Sequence, residues 1–152
     1  MSGNNENEPL VSICCLSYNH GQFIEEAIRS FWGQDYKNIE ILALDDGSKD
    51  DSFDVLNRLK EISPCPMEIY RQENSGNIPR NFNYTLKKAR GKYVIAIALD
   101  DVLLPDAVSS KVEMMEKDEK MQFVINTKGI NYFYDIKKEE EQVLKIDKLE
   151  NI

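Results

Sequence analysis

Three features of the sequence predict an α/β domain, three layers deep (α/β/α) with a mainly parallel sheet. Short β-rich apolar runs alternate with helical stripes, and only a few residues connect one to the next. Two of the runs end in the same acidic pair, "LALDD" at residues 42–46 and "IALDD" at 97–101. Residues 10–18, "LVSICCLSY", form a continuous apolar stretch, as expected for a strand covered on both faces. After "NHGQ", apolar side chains at Phe23, Ile24, Ala27, Ile28, Phe31 and Trp32 repeat at helical spacing. Residues 39–44 read as the second strand. Ser48, with Asp51 three residues on, has the spacing of a capping box, so a helix is expected to open there, burying Val55, Leu56, Leu59 and Ile62.

Residues 67–72 make a third, shorter strand. The loop "ENSGN" leads to Pro79 and a helix carrying Phe82, Leu86 and Ala89, with Gly91 as its stop. Residues 92–99 are the fourth and most apolar strand. Asp106, Val108, Val112 and Met115 mark a helix after Pro105. "MQFVINTKGINYFYD" supplies one further strand, or two parted by "TKG". From residue 137 the chain is charge-dense. Its Val143, Leu144, Ile146 and Leu149 leave a docked helix and a loose end both open. The expected organisation is a flexible lead-in over 1–8, one domain over 9–136 and a charged tail over 137–152.

At 152 residues the chain is long enough for a real core, and 41% hydrophobic with 30% charged residues describes a globular domain. The net charge of -8 argues against non-specific binding to nucleic acid or anionic lipid. An acidic protein that handles a polyanion needs local cations, a bound metal or backbone N–H groups. No apolar stretch reaches the length of a bilayer span, and the first residues have no apolar core of a secretion signal. The reading is cytoplasmic, with any membrane association supplied by other regions or partners. Cys14, Cys15 and Cys65 show no metal-ligand spacing and read as reduced thiols. The lone histidine, His20, argues against a His-rich metal site and against Ser-His-Asp chemistry.

In open α/β sheets ligands bind at the carboxyl ends of the strands. Both acidic pairs sit at such ends, and so does "SYNH" after the first strand. Tyr18 and Asn19, Asp45 and Asp46, Asp100 and Asp101 are therefore expected to line one pocket. The structural alternative is that "DDGS" is turn sequence and Asp100 caps the next element. Two like charges side by side resist desolvation, which a divalent cation would relieve. Carboxylates suit Mg²⁺ or Mn²⁺, whose shell is completed by water and substrate phosphates. A carboxylate also accepts hydrogen bonds from a base or ribose, and an aromatic ring stacks on a base. The chain has no G-x-G-x-x-G after the first strand and no P-loop pattern, against dinucleotide binding and P-loop nucleotide hydrolysis.

"PLVSICCLSYN", "NIEILALDDGSKDDS" and "RQENSGNIPRNFNYTLKKARGKYVIAIALDDVLLPDAV", in that order, resemble the N-terminal half of family-2 glycosyltransferases of GT-A fold. The likeness runs from about residue 9 to residue 124, and "YKNIEILALDDGSKDDS" and "ARGKYVIAIALDDVLLPD" are its most specific parts. The resemblance implies sugar transfer from a nucleotide-sugar, with UDP the commonest nucleotide, to a carbohydrate or lipid-linked acceptor in polysaccharide biosynthesis. It implies that Tyr18 flanks the base, Asp46 accepts from the base N–H with Asp45 supporting the turn, Asp100 contacts the ribose and Asp101 binds the divalent metal. Arg80 falls where relatives carry a basic residue toward the phosphates; a helix-surface arginine is the alternative. Ala98 stands where the family commonly has the first Asp of Asp-x-Asp, so this chain has an Asp-Asp version.

The implied mechanism is inverting, and the family's general base lies downstream of the residues that match. The acidic run "DIKKEEEQ" matches no family context and reads as a solvated charge run. The expectation is a donor-binding part, with the catalytic base unassigned and pairing between chains left open. Two other classes stand beside it. One is a non-catalytic module that keeps the donor-binding fold, which an assay of sugar transfer separates from the enzyme. The other is a receiver-type phosphoacceptor domain, which needs a lone Asp at a middle strand end that "MEIYRQENSG" lacks.

Overall fold

A computed structural model describes residues 8–122 and, as backbone, residues 128–135 and 138–145. The chain forms two compact units, Met1–Glu113 and Met114–Ile152. The first holds a four-stranded sheet made of β1 (Val11–Ser17), β2 (Ile39–Asp45), β3 (Met67–Arg71) and β4 (Tyr93–Ala98). The helices are α1 (Gly21–Trp32), α2 (Ser52–Glu61), α3 (Ile78–Leu86) and α4 (Ala107–Lys117).

The strands run in the order β3-β2-β1-β4, and every pair among them is parallel. The chain therefore starts in the middle, moves outward through β2 to β3, and returns past β1 to lay down β4. Right-handed crossovers in opposite directions place helices on opposite faces. Val11, Ile13, Cys15, Ile39, Ile41 and Ala43 accordingly share one core with Ile24, Ile28 and Phe31 of α1 and Val55, Leu56 and Leu59 of α2. The alternate residues Ser12, Cys14 and Glu40 face α3 and the Arg90 turn that follows it. Ile13, Ile24, Ile28, Ile41 and Leu56 are fully buried, each worth about 1.5–3 kcal/mol of hydrophobic stabilisation. This is the three-layer α/β/α arrangement that the alternating pattern predicts.

Two local departures have physical causes. α2 opens at Ser52 with Asp51 as its N-cap residue, not at Ser48. Ser48 is engaged elsewhere: its hydroxyl donates to Asp45 Oδ1 and accepts from the Asn19 amide at 2.9 Å. α3 ends at Leu86, short of Gly91, because the Arg90–Gly91 turn is held by Glu40 and Ser12. β4, at the sheet edge, tucks Tyr93, Ile95 and Ile97 against the core and leaves Val94 and Ala96 exposed.

In the second unit, β5 (Lys128–Asp135) pairs antiparallel with β6 (Lys138–Lys145), Asp135 opposite Lys138. The charge-dense segment is thus a strand over 138–145. Residues 123–127, the first part of the run read as one or two strands, lie outside the described residues, as do 1–7.

Candidate functional site

The order of the strands reverses between β1 and β4, since β1 is followed outward by β2 on one side and by β4 on the other. A crevice forms at such a switch point, beyond the carboxyl ends of the strands. The register is maintained to the last residue: the Leu99 amide donates to Leu16 O at 2.9 Å, Asp46 N to Ser17 O at 2.8 Å, and Gln72 N to Asp45 O at 3.1 Å. Tyr18, Asp46, Gln72 and Asp100 therefore emerge along one edge. The ends of β2 and β4 stand two strand spacings apart across β1, about 10 Å. The two acidic pairs lie along this same edge.

The loops after β1 and β2 are stitched together. Asp45, fully buried, accepts from the Ser48 amide at 3.2 Å and pairs with Arg71 Nε at 3.3 Å. Asn19, in the left-handed region at φ 56°, donates its amide to Ser48 Oγ and accepts at Oδ1 from the Lys49 amide at 2.8 Å. Gly47 has φ 72°, and a Cβ there would lie 2.6 Å from the Asn74 amide nitrogen. Only glycine fits both the backbone angle and the approach of the next loop.

Asp46 organises that next loop. Its Oδ1 accepts from Gln72 Nε2 at 2.7 Å and the Ser75 amide at 2.9 Å, and its Oδ2 from the Gly76 amide at 3.2 Å and more distantly from Ser75 Oγ at 3.4 Å. Burial works to raise the Asp46 carboxyl, but Gln72, Ser75, Asn81 and Gly76 outweigh it and hold it below the usual carboxylate range. Asp46 is 5% exposed. Ser75 has a single hydroxyl proton and a nearer acceptor in Asn81 Oδ1, at 2.9 Å.

At the other end of the crevice Asp100 and Asp101 are exposed. Desolvation by the flanking chain, and then the charge of Asp100, push the Asp101 carboxyl above its usual range, while His20 pulls it down. Among the described residues no three His, Cys, Asp or Glu side chains gather to hold a metal by themselves. The pair nonetheless fits Mg²⁺ or Mn²⁺ of the kind held by one or two carboxylates and completed by substrate phosphates. Tyr18, which directly follows β1, is exposed.

Arg80 sits apart. Its side chain lines a groove of about 590 Å³ with Gln72, Asn77, Asn83, Tyr84 and Lys87, a lining that contains neither Asp100 nor Asp101. The groove meets the acidic edge through Gln72, which donates to Asp46, and through Asn77, whose amide donates to Ser75 Oγ. Sequence reasoning missed His20 beside Asp100 and the Gln72, Ser75 and Asn81 cluster around Asp46. The one available hint was polar residues directly following a strand.

An open parallel sheet whose strand order reverses beside β1 defines an open α/β domain, and the comparisons specify it. The chain belongs to glycosyl transferase family 2, whose model matches residues 12–150. A relative from Escherichia coli, the UDP-Glc:alpha-D-GlcNAc-diphosphoundecaprenol beta-1,3-glucosyltransferase WfaP, is 33% identical over 111 residues, 72% of this chain and 43% of that protein. The mannosyltransferase PcManGT from Pyrobaculum calidifontis, solved with GDP-Man and Mn²⁺, superposes with a TM-score of 0.68 at 22% identity, over 72% of this chain and 33% of that one. S. aureus TarS 1-349, solved with UDP-GlcNAc, gives 0.67 at 19% identity, over 77% and 37%. These likenesses show the GT-A fold. The chain spans about a fifth to under a half of the length of the curated relatives it matches.

Proposed function

We propose that this chain is the donor-binding part of a glycosyltransferase that moves a sugar from a nucleoside diphosphate, UDP foremost, to an acceptor hydroxyl with inversion. The observation that carries it is the convergence of Tyr18, Asp46, Asp100 and Asp101 on one sheet edge at the strand-order switch. Tyr18 flanks the base, Asp46 accepts the base N–H, and Asp100 takes the ribose hydroxyls. Asp101 holds Mg²⁺ or Mn²⁺. When bound, the metal supplies charge stabilisation for the departing diphosphate. Arg80, in a groove apart from Asp100 and Asp101, is given no role at the diphosphate.

The acceptor hydroxyl attacks from the side opposite the diphosphate, and no residue of this chain is assigned as its general base. The names of the relatives, a UDP-Glc-dependent enzyme acting on a diphosphoundecaprenol-linked sugar among them, support a carbohydrate or lipid-linked acceptor in polysaccharide biosynthesis. Among the described residues no helix is long and apolar enough to cross a membrane. We place the reaction in the cytoplasm, where nucleotide-sugars are available.

Calorimetric titration with UDP, with and without Mn²⁺, tests this reading. UDP binding is expected to need the metal, and Asp101→Asn is expected to weaken it by about tenfold or more. Equal binding without metal, or no effect of Asp101→Asn, overturns the assignment.

A further inference from the structure

The crevice holds two adjacent carboxylates, and the group that faces them from β1's side is His20. Its Nε2 lies 3.7 Å from Asp100 Oδ2, the one ion-pair contact of Asp100 among the described residues. We infer that His20 is a positioning residue of the donor site, its Nε2 facing the Asp100 carboxylate so that this group is steered aside from Asp101 and each carboxylate is free for its own ligand. The inference rests on the donor-site reading above.

The backbone of His20 is fixed from three directions. Its N–H donates to Ser52 Oγ at 3.0 Å, and its carbonyl accepts from the Phe23 and Ile24 amides at 2.7 and 3.1 Å to start α1. Ser52 Oγ itself donates to Asp50 Oδ1, and the Gly21 amide donates to Asp50 Oδ2 at 2.9 Å. The first turn of α1 is thus capped by residues of the neighbouring loop. The imidazole makes no capping bond to its own helix, so packing a cap is not what the ring is for.

The ring is 24% exposed. Its Nδ1 is enclosed with no hydrogen-bond partner among the described residues. A neutral imidazole carries one N–H, and a buried donor without an acceptor is the more costly choice. The proton therefore belongs on Nε2, where a carboxylate faces it. Partners standing behind metal-site carboxylates tune affinity by orienting them.

The full chain has one histidine, so its ring nitrogens can be followed without ambiguity by ¹⁵N NMR. The expected state of the ligand-free protein above the histidine pKa is Nε2 protonated and Nδ1 bare, with both shifts moved by Asp100→Asn. A ring protonated at Nδ1, or one indifferent to Asp100→Asn, overturns the inference. In calorimetry with UDP and Mn²⁺, His20→Ala is expected to bind about tenfold more weakly. His20→Gln, whose amide also carries a donor at the ε position, is expected to recover most of that loss. Both variants should keep the wild-type unfolding midpoint. Wild-type affinity in His20→Ala, or no rescue by His20→Gln, overturns it too. If the wild type fails to bind UDP with Mn²⁺ while the NMR arm holds, the donor-site reading falls and the His20–Asp100 pairing stands.

Discussion

Glu40 offers a quantitative test of how the fold is locked at the end of the sheet remote from the crevice. It lies in β2, only 1% exposed, on the face toward α3. Its Oε1 accepts from Ser12 Oγ at 2.6 Å and the Arg90 amide at 2.9 Å, and its Oε2 from Arg90 Nε and Nη2 at 2.8 and 2.6 Å. Gly91 completes the clamp by donating its amide to Ser12 Oγ at 2.8 Å. Glu40→Ala strips four donors of their acceptor. The guanidinium, 66% exposed, recovers water, whereas the Ser12 hydroxyl and the Arg90 amide are left under cover. Each orphaned donor costs about 1–3 kcal/mol, so the expected loss is about 3 kcal/mol. Glu40→Gln keeps an acceptor for Ser12 and the amide but sets an NH₂ against the guanidinium, for a loss of about 1–2 kcal/mol.

The pH dependence gives the argument a sign. Burial works to raise the Glu40 carboxyl, and Ser12 with Arg90 overcomes it, holding the group below its usual range in the folded state. The stability it contributes is present above the unfolded glutamate value of about 4.3. It is lost as pH falls through the lower folded value. Urea unfolding followed by circular dichroism at pH 7 and pH 3 is the assay. Glu40→Ala should lower the pH 7 midpoint by about 1–2 M, and the gap between wild type and Glu40→Gln should narrow at pH 3. A pH 7 shift below about 0.3 M, or a gap that ignores pH, would refute the reasoning.

Two further outcomes follow from the packing. Gly47→Ala should cost about 1–3 kcal/mol, because it strains a positive φ. It also drives a Cβ into the Asn74 backbone, so UDP affinity should fall with it as the loop around Asp46 shifts; wild-type stability in thermal unfolding would contradict this. Thiol titration of the native protein at pH 8 should detect Cys65 first and leave Cys14 and Cys15 unreacted until denaturant is added, because burial pushes all three thiols up and encloses Cys14 and Cys15 completely.

The strands and helices were legible because each is a local pattern. The apolar continuity of β1 and β2 reflects burial on both faces, and the stripe of α1 reflects a single buried face. The helix start at Ser48 misled because the same hydroxyl that fits a capping box fits Asp45 and Asn19 better once the β1 loop lies beside it. Both acidic pairs pointed to a candidate site, since charge at the end of an apolar strand is costly without a use. Their partners were silent. Gln72, Ser75 and Asn81 are ordinary loop and helix residues until Asp46 is among them, and His20 looked like a reason to discount histidine chemistry.

By itself the sequence determined the alternation of strands and helices, the residues that must be buried, and the two acidic strand ends. These depend on periodicity and desolvation, which neighbouring residues settle among themselves. Only the tertiary structure decided that β4 lies beside β1, bringing His20 to Asp100 and Glu40 to Arg90. Such pairs are joined by crossovers whose handedness and register follow from packing of the whole sheet, and no local pattern encodes which distant side chain will stand across the gap.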